Sequence, residues 1–326
     1  MGILNQVATT VTLAATATFS LLGTPTMAFT ITPNNQEGDL LNALLGYTTG
    51  LSNFSLSTTG DAEAFGLFND DPFGLGSGIV LSTGEVGEIP ATNTEDGGLV
   101  PHIDENGAIN PLNDLSKDFG IQGMGIAGVP GDDMILQIDF DADSTADKVF
   151  FQYVFGSEEF VEFGGSEFND SFQLLLNNVN LALLSDGNSV TINNLIPNPL
   201  DPSSYHPDYI NNPTGSITNT KLDGFTKELT FEGLLNKNAR NSLTIEIQDV
   251  GDGLLDSVVF LKGQSLGTAP PPPKVVEPVV EPVVEPVVEP VVEPKDVPEP
   301  SSILGLLGLG AVSIAVHFQR KHKSGS

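Results

Sequence analysis

The sequence predicts an all-β body, an antiparallel β-sandwich or jelly roll, and three observations predict it. Apolar and polar residues alternate with period two in several short segments. Gly, Asn, Asp and Pro separate those segments. No helical periodicity intervenes, as the crossovers of a parallel sheet would require.

Taken in order, residues 37–45 form a short helix stopped by Gly46. A strand is expected near 79–82, and another at 136–141, where Leu136, Ile138 and Phe140 alternate with Gln137, Asp139 and Asp141. Val149, Phe151, Tyr153 and Phe155 share one face of the next, and Phe172, Leu174 and Leu176 one face of the strand after it. Further strands follow near 190–193, at Leu229 and Phe231, at Leu243, Ile245 and Ile247, and at 257–262. Residues 29–268 are long enough to bury a core without disulfides.

Composition narrows the function. The chain of 326 residues has 42 acidic and 12 basic residues, a net charge of -30, and no Cys. A disulfide scaffold, a thiol enzyme and a Cys-ligated metal centre are excluded. Nucleic acid is not expected as a partner, because binding phosphates needs clustered Lys and Arg. The asymmetry is strong: residues 29–268 hold 35 acidic and 7 basic residues, and no Lys or Arg precedes Lys117.

Three segments flank the body. Residues 1–28 carry an apolar, small-residue run and end in Thr26-Met27-Ala28, which reads as a secretory leader cut after Ala28 by signal peptidase. Its n-region lacks Lys and Arg, and a buried N-terminal helix is the other reading. Residues 269–296 hold four prolines, Pro270 through Pro273, and then Val-Val-Glu-Pro repeated five times from Val275 to Pro294. A proline every four residues prevents helix and central strand, so this is an extended spacer or a plain disordered linker. Residues 297–326 comprise Val297-Pro298-Glu299-Pro300, an apolar run over 303–318 and the basic end Arg320-Lys321-His322-Lys323. A helix of that run would measure ~24 Å, short for a ~30 Å hydrocarbon core, with its C-terminus cytoplasmic by the positive-inside rule.

That tail resembles the PEP-CTERM sorting signal of Gram-negative bacteria, including cyanobacteria. The resemblance implies recognition by an exosortase, a membrane-embedded Cys protease and transpeptidase, and a membrane helix that is either temporary or kept as a single-pass anchor. The body is similar to the choice-of-anchor L domain of bacterial surface proteins. The likeness rests on the blocks Ser77-Gly78-Ile79-Val80-Leu81-Ser82-Thr83-Gly84, Tyr153 through Phe160, Asn169-Asp170-Ser171-Phe172, Asp223-Gly224-Phe225-Thr226 and Asp249 through Ser257. It implies an extracellular β-rich module of no established activity.

The candidate chemistry is acidic. Asp249, Asp252 and Asp256 are expected in one strand-connecting loop, with Glu158, Glu159, Asn169 and Asp170 in others. Calcium takes 6–8 oxygen ligands from such groups, so these seven residues form a candidate calcium site. The competing reading is that they cap turns and face water. Asp139, Asp141, Asp143 and Asp147 do not fit an EF-hand, which would need Gly at Ser144 and an acid at Phe150, and read as the outer face of a strand with a polar turn.

For catalysis no residue is assigned. No nucleophile elbow or phosphate loop occurs, and His102 and His206, each beside a Pro, read as loop residues. The expectation is a non-enzymatic adhesion or envelope module at the cell surface, meeting surface polysaccharide or matrix. The alternative is a secreted carbohydrate-active hydrolase with Glu158 and Asp256 as its carboxylate pair.

Overall fold

The structure, a computed structural model, describes residues 28–94, 102–103, 109–110, 130–251, 253 and 255–272. The leader up to residue 27, Asp252, most of the spacer, the sorting motif and the expected membrane helix lie outside these residues. Among the described residues no helix is long and apolar enough to cross a membrane.

Among the described residues fifteen strands follow in chain order. They are β1 (Thr30–Pro33), β2 (Leu51–Thr59), β3 (Phe65–Asn69), β4 (Ser77–Ser82), β5 (His102–Ile103), β6 (Ile109–Asn110), β7 (Pro130–Ala142) and β8 (Lys148–Ser157). Then come β9 (Ser171–Leu176), β10 (Val179–Asn180), β11 (Tyr209–Asn211), β12 (Gly224–Thr226), β13 (Leu229–Leu234), β14 (Ala239–Val250) and β15 (Ser257–Lys262). The larger sheet has eight strands in the order β1, β3, β4, β15, β8, β12, β11, with β13 also pairing with β8. The second has five, in the order β10, β9, β14, β7, β2. All pairings between these strands are antiparallel, as the alternation predicts.

The two sheets pack face to face. Leu136, Ile138 and Phe140 of β7, Phe172, Leu174 and Leu176 of β9 and Leu243, Ile245 and Ile247 of β14 form one buried cluster with Phe151, Tyr153 and Phe155 of β8. Period two places each of these sets on one face of its strand. The Tyr153 and Phe172 rings, 5.1 Å apart, join the layers, and within the larger sheet Phe151 stacks on its cross-strand partner Phe231 at 4.7 Å. The larger sheet is buried on its other face too, where Phe68, Val80, Val154, Val258 and Phe260 pack with Phe29 and Phe225. That double burial explains why β8 reads as a near-continuous apolar run.

The N-terminal helix α1 spans Glu37–Leu44, with Leu40 and Leu44 one turn apart and buried. Gly46 follows it and donates its N–H to the Leu266 carbonyl at 2.9 Å. Ala28, the expected cleavage residue, is exposed, while Phe29 directly after it is buried.

Two expectations are corrected. Residues 190–193 do not form a strand: Thr191 caps the four-residue helix α2 (Ile192–Leu195), its hydroxyl accepting from the Asn194 N–H at 3.1 Å. A Thr followed by Asn-Asn satisfies helix-start donors that a strand would leave open, and Ile192 and Leu195 are both buried by the helical spacing. His102 lies in the short strand β5, paired with β6, and not in a loop.

Candidate functional site

The apolar rows that fill the sandwich continue, two residues at a time, into polar side chains at one end. On β14 the row Leu243, Ile245, Ile247 runs on to Asp249, and ahead of β9 the row of Phe172 begins at Asp170. On β7 the same row starts at Asp132; on β8 it finishes at Ser157, on β4 it leads to Thr83, and on β15 it starts at Ser257. These six residues are 0–2% exposed. Strand pairing places them at one end, since Ser257 is the partner of Ser157 and Gln248 is the partner of both Ser171 and Asp133.

Glu158 and Asp256 complete this layer. The two residues hold each other, Glu158 N–H donating to the Asp256 carbonyl at 3.0 Å and Asp256 N–H donating to the Glu158 side-chain Oε2 at 3.1 Å. Asp256 Oδ1 accepts the Thr83 hydroxyl at 3.1 Å, and Thr83 Oγ1 accepts the Ser257 N–H at 2.9 Å. Asp170 accepts from the Ser257 hydroxyl at 2.7 Å and from the Val250 N–H at 2.9 Å, tying β15 and β14 together. Gly84 is required here by close approach: a Cβ at that position would stand 2.0 Å from Asp256 Oδ2.

Asp249 is placed by a bulge. The β7–β14 register shifts between Gln248 and Val250, so Asp249 sits where the ladder is interrupted, and Gly251 beyond it takes φ 120°. Neither carboxylate oxygen of Asp249 receives a well-formed hydrogen bond, although Asp170 and Thr83 lie close beside it. Burial pushes its carboxyl well above the usual carboxylate range, and the neighbouring charges of Asp170 and Asp256 push it the same way.

Of the seven candidate ligands, the structure brings Glu158, Asp170, Asp249 and Asp256 to one place. Glu159 is buried nearby, its N–H donating to the Ser157 hydroxyl at 2.9 Å. Asn169 turns elsewhere, its side-chain oxygen accepting the Asn193 N–H of α2 at 2.8 Å. Asp252 lies outside the described residues. The expectation of water-facing turn residues is corrected for the buried acids, and Asp249 belongs to a strand and not to a loop. Among the described residues no three acid or histidine side chains by themselves surround a point that could hold a metal ion. Thr83, Ser157 and Ser257 were not singled out by the sequence reading; extending each alternation past its last apolar residue would have found them.

The other acidic run behaves as predicted. Asp141 accepts from the Asn53 amide at 2.7 Å and from Arg240 at 3.4 Å, and these contacts lower its pKa, the Asn53 bond most. Asp143 accepts the Thr145 hydroxyl and N–H in a local turn, which lowers its pKa. His206 sits in a connection with its ring buried between Asp186 and Asp208, its Nδ1 accepting the Asp208 N–H at 3.1 Å. An open groove of about 780 Å³, lined in part by Phe150, Leu183, Lys227 and Glu228, includes none of the buried acids.

Two family models match the chain. The model of the choice-of-anchor L domain matches residues 30–267, and that of the PEP-CTERM protein-sorting motif matches residues 296–321. No curated protein and no solved structure matches.

Proposed function

Because the chain belongs to the choice-of-anchor L domain family and ends in a PEP-CTERM motif, we propose that its β body is a non-enzymatic adhesion or envelope module, stabilised by calcium. The sorting motif marks an exported protein of the cell envelope or surface that an exosortase recognises. The observation that carries the reading is the joining of a surface-protein body to a sorting signal in one chain. Surface polysaccharide or matrix is the partner class that suits such a body.

The burial of the acids supports a non-catalytic role. A glycosidase pair must flank a glycosidic bond, and Glu158 and Asp256 are 1% and 0% exposed. Screening the purified protein against polysaccharides, with Glu158→Gln as control, tests this point. Turnover that the variant loses would overturn it.

Location is tested by replacing Val297, Pro298, Glu299 and Pro300 with alanine. The variant is expected to stay unsorted in the membrane fraction while the parent chain reaches the surface. Equal distribution of the two would remove the sorting step from the account.

A further inference from the structure

We infer that the polar end of the sandwich is a built site for a hard divalent cation of the calcium class, anchored by Asp249 with Asp170 and Asp256 beside it. The inference deepens the proposed surface function and rests on it for the supply of calcium, which extracellular modules bind at millimolar levels.

The first ground is Asp249 itself. Its carboxylate is fully buried, and neither oxygen receives a hydrogen bond of good geometry, Asp170 and Thr83 being the polar side chains close beside it. A buried carboxylate in that condition keeps its charge only if a cation meets it. The second ground is what surrounds it. Asp170 and Asp256 bring like charge, Thr83 brings a hydroxyl, and Ser257 adds a hydroxyl bonded to Asp170. Every one of these donors is a hard oxygen, a set suited to calcium or magnesium and not to zinc or copper. Magnesium holds its own water and demands octahedral geometry, whereas calcium accepts an irregular shell. Because the described carboxylates do not enclose an ion unaided, hydroxyls, backbone carbonyls or water complete that shell.

The third ground is placement. Asp249 lies in β14 and Asp170 directly ahead of β9, both strands of the five-stranded sheet, whereas Asp256 directly precedes β15 and Thr83 directly follows β4, both strands of the larger one. A cation between them closes the end of the sandwich across both sheets. It also replaces the repulsion of converging carboxylates with attraction, which raises stability by mass action. Protons compete for the same oxygens, so binding strengthens as pH rises.

The test uses the purified protein, stripped with EDTA and dialysed. Titration calorimetry with calcium chloride and with magnesium chloride is paired with thermal melting at about pH 8 and about pH 5. Calcium is expected to bind more tightly than magnesium. It is expected to raise the unfolding midpoint by about 5–10 °C at ~100-fold excess over its dissociation constant, and by less at the lower pH. Asp249→Asn is expected to remove both the binding heat and the calcium-dependent rise while keeping the β-sheet circular dichroism. If that variant fails to fold, the parent protein decides alone. A midpoint that follows pH but ignores millimolar calcium assigns the site to a proton and overturns the proposal, as does calcium binding by Asp249→Asn equal to that of the parent. These measurements are independent of sorting, so failure of the cation site leaves the surface reading to its own fractionation test.

Discussion

Strand β7 carries aspartates on both of its faces, and the two kinds have opposite environments. Asp139 and Asp141 lie on the outer row, where Asp139 meets Gln137 and Asp141 meets Asn53 and Arg240. Asp132 lies on the inner row and is fully buried, together with Asp249 of β14 and Asp170 ahead of β9. Hydrogen bonds and a neighbouring guanidinium lower the Asp141 pKa, while burial and like charge raise that of Asp249. One residue of register separates the two outcomes, because successive side chains point to opposite faces of a sheet. Composition alone therefore says little about what an acidic residue does in this body.

The contrast is broken most severely at Asp170. Asp170→Ala removes the acceptor of the Ser257 hydroxyl and the Val250 N–H inside the core. It is expected to cost about 2–5 kcal/mol in denaturant unfolding, since buried donors left unsatisfied cost ~1–3 kcal/mol each. Gly84→Ala comes next. Its methyl would press on Asp256, and overpacking of this kind costs about 1–3 kcal/mol. An unchanged transition midpoint for either variant would show that the buried end is not held together as described.

pH sharpens the comparison. A carboxyl whose folded pKa is raised contributes stability that is complete below its unfolded value and is lost as pH rises through the folded value. In EDTA the protein should therefore lose stability as pH climbs from the ordinary Asp value of 3.8 through the raised Asp249 value. Asp133 and Glu246 are also raised by burial, with Asp133 adding repulsion on Glu246, and both contribute in the same direction. Asp141, Asp143 and Asp186 are lowered, so their contribution is lost on the acid side instead. Melting Asp249→Asn across the same range isolates the Asp249 share: the slope should flatten, and an identical slope would contradict the assignment. The smallest effect belongs to the outer row. Asp141→Asn should shift the melting midpoint by less than about 2 °C, because exposed pairs contribute little and are screened by salt.

Much of the fold was legible because alternation is strong in β7, β9 and β14, where every expected apolar residue is buried, and because β15 is a short apolar run. Shorter strands such as β3, β11 and β12 escaped the reading. Three to five residues show too little alternation, and their pairing comes from neighbours distant in sequence. The helix α2 was missed because Val190 and Ile192 also fit period two, and only the Thr191 cap separates the alternatives. For the candidate site, the structure brings Glu158, Asp170, Asp249 and Asp256 together, and their burial is not legible in the sequence. Asp249 reads as a loop residue because Ile247 is the last apolar member of its row.

The sequence by itself determined the all-β class, the inner rows of β7, β8, β9 and β14 and the sorting signal at the tail. These follow from local periodicity and from short contiguous motifs. Only the tertiary structure decided which acids meet. Asp170 reaches Val250 across 80 residues of chain, and Thr83 reaches Ser257 across 174. Such contacts depend on strand order, on the bulge at Asp249 and on the close approach at Gly84. The period of a single strand carries none of that information, since it fixes the face a side chain occupies but not the strands that come to lie opposite it.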